Sequence, residues 1–154
     1  MALFSWIKKN PATDRPLGGL LVMDEAQNYV PSRETTVCSR STLALSAQAR
    51  KYGLGLLFAT QHPRGLDNKV PGNASTHFYG MLNAPAQIDA ARQLAVAKGG
   101  DLPELSRLRR GQFFVAGEGT AFQKIVTPLC LSHHPDSPPP PEEILARARQ
   151  LDRV

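Results

Sequence analysis

Two apolar runs constrain this chain more than any other feature. Leu20-Leu21-Val22-Met23 and Leu54-Gly55-Leu56-Leu57-Phe58-Ala59 are short, carry no polar side chain and are bounded by glycine or polar residues. Runs of that length and flanking suit strands of a parallel sheet buried on both faces. Between them, Ser39 or Ser41 can cap a helix running to about Tyr52, and Gly53 can stop it. Strand, helix and strand make a βαβ unit, so the two strands are expected to be parallel and joined by a right-handed crossover. The fold class is therefore α/β.

Parallel strands present their carboxyl ends on one edge, and open parallel sheets bind ligands beyond that edge. The first run ends in Asp24-Glu25 and the second in Thr60-Gln61, so these four polar residues are expected to converge. The chemistry suits a nucleotide hydrolase. One carboxylate can hold the water shell of a Mg²⁺ ion and the next can polarise an attacking water. Gln61 could sense a γ-phosphate or orient that water. Alone, Asp24-Glu25 could equally be a strand turning into solvent; the matched end of the second strand makes the pair more specific.

The surrounding residues carry a family resemblance. Leu-Val-Met-Asp-Glu-Ala-Gln-Asn-Tyr-Val-Pro, from Leu21 to Pro31, resembles the Walker B segment of HerA-type ATPases of the HerA/FtsK superfamily. Gln48-Ala49-Arg50-Lys51-Tyr52-Gly53-Leu54-Gly55-Leu56 is similar to the stretch that follows it there. Phe58-Ala59-Thr60-Gln61-His62-Pro63 resembles the Ala-Thr-Gln-x-Pro sensor strand. Asn73-Ala74-Ser75-Thr76 and Gly111-Gln112-Phe113 resemble two later blocks, so the likeness runs from about Leu20 to Thr127. It implies a RecA-like P-loop NTPase fold, a ring of homologous ATPase subunits acting on DNA, and ATP and Mg²⁺ as cofactors. By motif match Asp24 becomes the metal-shell carboxylate, Glu25 the catalytic carboxylate and Gln61 the γ-phosphate sensor, with Thr60 beside it as a nucleotide-binding residue. Arg50 matches an arginine thought to reach a neighbouring subunit's nucleotide. Arg50 and Lys51 are also plain cations in a last helical turn, where they complement the dipole.

The chain departs from the family in one large respect. No Gly-x-x-x-x-Gly-Lys-Ser/Thr occurs, and neither Gly18-Gly19 nor Gly99-Gly100 is followed by Lys-Ser or Lys-Thr. Without that loop no nest of backbone N–H groups and no lysine cradle the phosphates. The expectation is a partial parallel sheet flanked by helices, the C-terminal part of an ATPase core from Walker B onward, inactive alone. An upstream ATPase half would be its partner. The rival readings are a non-enzymatic interaction module descended from such an ATPase and a metal-dependent nuclease. The nuclease would want more convergent carboxylates than this segment supplies.

The remaining sequence sets the boundaries. Residues 1–19 read as a short helix and a Pro/Gly-rich loop, 20–131 as the core part, 132–141 as a Pro-rich linker and 142–154 as a terminal helix. Thr76–Leu82 reads as a third strand, Pro85–Ala97 as a helix with Ile88, Ala91, Leu94 and Ala95 on one stripe, and Leu102–Arg110 as a short helix. Gln112–Ala116 and Phe122–Thr127 read as strands, and Ala26–Cys38 as an exposed loop. The net charge of +5 favours anionic partners, with Arg64, Lys69, Arg107, Arg109 and Arg110 as candidate DNA-phosphate contacts. No run of about 18 apolar residues occurs and the first residues lack the order of a secretory signal, so no membrane and a cytoplasmic address are expected. Cys38 and Cys130 are expected to be reduced, and Cys130 with His133-His134 matches no zinc spacing.

Overall fold

The structure is a computed structural model, and it describes residues 2–128, 130–131 and 137–151. Strand β1 (Gly19–Met23), helix α2 (Ser39–Gln48) and strand β2 (Leu54–Phe58) form the expected βαβ unit. β1 and β2 pair in parallel, with Gly19 opposite Leu54 and Met23 opposite Phe58. The helix is shorter than its expected span: after Gln48 the chain tightens into a 3₁₀ turn, Ala49–Tyr52. Gly53 ends that turn at φ 72°, a left-handed conformation that glycine adopts without steric cost. Its N–H bonds the Arg50 carbonyl, and its own carbonyl accepts Gly18 N–H at 2.7 Å.

Helix α1 (Ala2–Lys9) lies over the same sheet face as α2. Phe4, Ile7, Leu45 and Ala49 are buried there against Leu21, Leu54 and Leu56. Further along the face, Ala26, Val30, Leu66 and Val70 close over Met23, Leu43 and Phe58. The segment 26–38 is therefore anchored and not a wholly exposed loop. Ala26 and Val30 are completely buried, because the apolar side chains on either side of the polar Gln27-Asn28 turn inward.

The opposite face overturns the expectation that both strands are covered on both sides. Leu20, Val22 and Leu57 are 61%, 53% and 46% exposed. An apolar run records that a strand has two apolar faces, but it does not record whether this chain supplies both covering layers. Only one layer is present among the described residues.

A second sheet follows helix α3 (Lys69–Asn73). Strands β3 (Thr76–Tyr79), β4 (Gln112–Gly117) and β5 (Thr120–Val126) are antiparallel in the order β3-β4-β5, and no ladder joins them to β1 and β2. Helix α4 (Pro85–Ala97) starts on a proline, which pre-sets the first-turn φ. It buries Ala91 and Ala95 against Tyr79, Leu102, Leu105, Leu108 and Ala116, with Ile88 and Leu94 partly buried beside them. The expected helix over Leu102–Arg110 is only a 3₁₀ turn, Leu105–Arg107, because Leu102, Leu105 and Leu108 all point into this core. Helix α5 (Pro141–Leu151) closes the described chain. Half of the expected linker, residues 132–136 with His133 and His134, lies outside the described residues.

Candidate functional site

The site sits where β1 and β2 end. Two backbone bonds extend the ladder past the strands: Ala59 N–H donates to Met23 O and Ala26 N–H to Ala59 O, each at 2.9 Å. These stitches hold Asp24-Glu25 beside Thr60-Gln61, so the four residues expected on one edge are brought together.

Glu25 has φ 48° and ψ 49°, the left-handed region that costs a residue with a Cβ about 1–2 kcal/mol. Three contacts hold it there. Asp24 Oδ1 accepts the Glu25 N–H at 3.0 Å. Gln27 Nε2 donates to Glu25 Oε2 at 2.6 Å, and Gln61 Nε2 donates to Oε1 at 3.1 Å. Non-glycine residues held at positive φ cluster at functional sites, where surrounding structure over-determines them.

Thr60 is oriented from both sides. Its hydroxyl oxygen accepts His62 N–H at 2.9 Å and its proton goes to Gln27 Oε1. Gln27 therefore bridges the ends of the two strands. Sequence reasoning gave it no role. The available signal was an amide two residues beyond a carboxylate at a strand end, within reach of its oxygens once the chain turns.

Arg50 is not brought to this cluster. It precedes β2, whereas Thr60 and Gln61 follow it, and a five-residue strand separates the two ends by roughly 16 Å. Arg50 is exposed on the wall of an open cavity of about 430 Å³ that Asn73, Ser75, Lys98 and Glu118 also line. An arginine there cannot serve the carboxylates of its own chain.

The donor set fits part of what the resemblance implies. Asp24 Oδ1 accepts the Glu25 N–H, while Oδ2 makes no hydrogen bond among the described residues and the side chain is exposed. Mg²⁺ keeps several waters and is commonly held through one or two carboxylates plus substrate phosphates, and Asp24 suits that arrangement. Among the described residues no cluster of three or more His, Cys, Asp or Glu side chains exists. No glycine-rich loop opening a helix is found at this edge either. The chain's residues fit a metal's water shell and an attacking water, and they do not cradle a triphosphate.

No family model and no curated protein matches the sequence. Solved structures do match its shape. The genome packaging NTPase B204 of Sulfolobus turreted icosahedral virus 2, in complex with sulfate, aligns with TM-score 0.56 and 20% identity over 75% of this chain and 54% of that one. The complex of the same NTPase with ATP-gammaS aligns with TM-score 0.54 and 19% identity over 72% and 52%. The DNA-packaging ATPase B204 from Sulfolobus turreted icosahedral virus gives 0.54 and 17% over the same shares. Over the aligned part the chain shares the fold of this viral genome-packaging NTPase. It spans about half the length of those structures, and at this identity the likeness concerns the fold. One of these matched structures is a nucleotide-analogue complex. No described helix is long and apolar enough to cross a membrane.

Proposed function

We propose that this chain supplies the carboxylate half of an ATP-hydrolysing core of the HerA type, which acts on DNA once a second half adds the phosphate-binding loop. The observation that carries the reading is the convergence of Asp24, Glu25, Thr60 and Gln61 on the carboxyl edge of a parallel pair. Asp24 would hold a Mg²⁺ ion through its water shell. Glu25 accepts a proton from the attacking water. Gln61, held by Glu25, would sense a γ-phosphate, and Thr60 sets the end of its strand. Bound Mg²⁺ neutralises charge that develops on the transferred phosphoryl group.

Two further observations support a partner. One sheet face is bare and apolar, and parallel sheets are ordinarily covered on both faces. Arg50 stands at the far end of β2 from the carboxylates, a place that suits service to another subunit's nucleotide. In this reading the partners are an upstream ATPase half and homologous ring subunits, with DNA bound by the assembly in the cytoplasm.

The test is reconstitution with the upstream half of a homologous ATPase. The mixture is expected to hydrolyse ATP, and Glu25→Gln is expected to lower kcat by about 10²- to 10⁴-fold while Mg-nucleotide binding persists. Full activity in Glu25→Gln would remove Glu25 from its role. The bare face and missing loop also favour a second reading, a non-enzymatic module that joins such an assembly. Stable assembly without hydrolysis would select it.

A further inference from the structure

We infer that Gln27 is a positioning residue that couples Thr60 to Glu25, so that a change at the end of β2 is transmitted to the carboxylate through the Gln27 side chain. The bonds form one directional chain. His62 N–H donates to Thr60 Oγ1, the Thr60 hydroxyl donates to Gln27 Oε1, and Gln27 Nε2 donates to Glu25 Oε2.

The direction follows from the chemistry of the groups. A hydroxyl has one proton, and a backbone N–H can only donate, so Thr60 must spend its proton on another acceptor. An ionised carboxylate can only accept, so the NH₂ end of Gln27 must face Glu25 and its carbonyl must face Thr60. A flipped Gln27 amide would set carbonyl against carboxylate. Each group thus fixes the next, and Gln27 cannot reorient without breaking both of its bonds. Gln27 is itself half-buried against the turn that begins at the fully buried Ala26. Its amide is therefore presented by a rigid stretch of backbone.

Glu25 needs such a link because its backbone is held at positive φ by side-chain contacts. Gln61 touches Glu25 directly, whereas the Thr60 hydroxyl reaches it through the side-chain bonds of Gln27. Whatever Thr60 senses at the strand end changes the bond that Gln27 gives to Oε2. The hydrolytic meaning of this link rests on the function proposed above, whereas the link itself does not.

The experiment uses the full chain without nucleotide and follows the Glu25 side-chain carboxyl carbon by NMR. Thr60→Val is expected to move that resonance by more than its linewidth in the wild-type background. In a Gln27→Leu background the same substitution is expected to leave it in place. Gln61→Ala should move it in both backgrounds, since that contact is direct, which shows that the folded site still reports. Two outcomes overturn the inference: a Thr60→Val shift of the same size without Gln27, or no shift with it. If the coupling is seen while the reconstituted mixture hydrolyses no ATP, the link stands and the proposed hydrolytic function falls.

Discussion

At the scale of single residues, His77 shows how burial sets chemistry away from the carboxylate edge. Its Nε2 lies 2.9 Å from Pro71 O, which can only accept, so Nε2 carries the proton. Nδ1 is then an acceptor for the Tyr79 hydroxyl at 3.0 Å. Burial pushes the Tyr79 hydroxyl up to about 12, so it remains a donor throughout the physiological range. The His77 pKa is held below 6.5, chiefly by burial and secondarily by the charge of Lys98, against the opposing pull of the Pro71 and Ala74 backbone. A histidine with a lowered folded pKa binds more protons when unfolded, so stability rises with pH where the two states differ. Its contribution is complete above 6.5. It is lost as pH falls from there towards the folded value, and no further loss follows below that value. Denaturant midpoints at pH 7.5, 6.5 and 5.5 should fall more steeply for the wild type than for His77→Asn. Equal slopes would mean that His77 is not the group responsible.

Among the elements, the junction of α2 with β2 is the most constrained. Gly53 sits at φ 72°, and a Cβ there would lie 2.6 Å from the Ala12 Cβ. Gly53→Ala is therefore expected to cost about 2 kcal/mol, of which roughly 1 is backbone conformation. Adding Ala12→Gly should recover only the steric part, and full recovery in urea unfolding would refute the backbone share. This junction was legible in the sequence because a glycine stop after a helical stretch is a local pattern, whereas the expected cap was not met: Cys38 precedes α2 with no side-chain cap bond, Ser39 Oγ is taken up by Thr36 and Tyr29, and Ser41 donates to Cys38 O. The carboxyl edge was legible too, because parallel strands of known direction fix which ends meet. Non-local pairing was less legible. Thr76–Tyr79 reads as a strand from its residues, but nothing in them says that its partner is Gln112–Gly117 and not β2. The apolar runs of β1 and β2 gave no sign of the missing cover, since side-chain polarity reports the environment a strand is built for and not which chain provides it. Gln27 was hidden for another reason: one glutamine in a turn has no periodicity, and its role depends on a residue 33 positions away.

For the molecule as a whole, the uncovered face is the main consequence of the fold. Gly55 has no side chain, and the space its Cβ would enter is taken by Leu17 and Leu20. These two with Val22 and Leu57 form an apolar surface on the side of the sheet away from α1 and α2, each 46% to 61% exposed. Fully burying such a side chain is worth about 1.5–3 kcal/mol, and half of that gain is forgone while the face is open. A partner that covers it recovers the remainder, which gives association a driving force independent of nucleotide. The combined substitution Leu20→Thr, Val22→Thr and Leu57→Thr should therefore lower binding of an apolar fluorescent dye by the isolated chain and leave it folded. The same variant should fail to assemble with the upstream half of a homologous ATPase. Unfolding of the isolated variant would show that the face is covered within the chain. Undiminished assembly would show that the partner docks elsewhere. Because none of the three apolar side chains takes part in the hydrogen bonds of the Asp24–Gln61 cluster, the substitutions separate assembly from chemistry: loss of ATP hydrolysis should track loss of assembly, with the bonds among Glu25, Gln27, Thr60 and Gln61 intact.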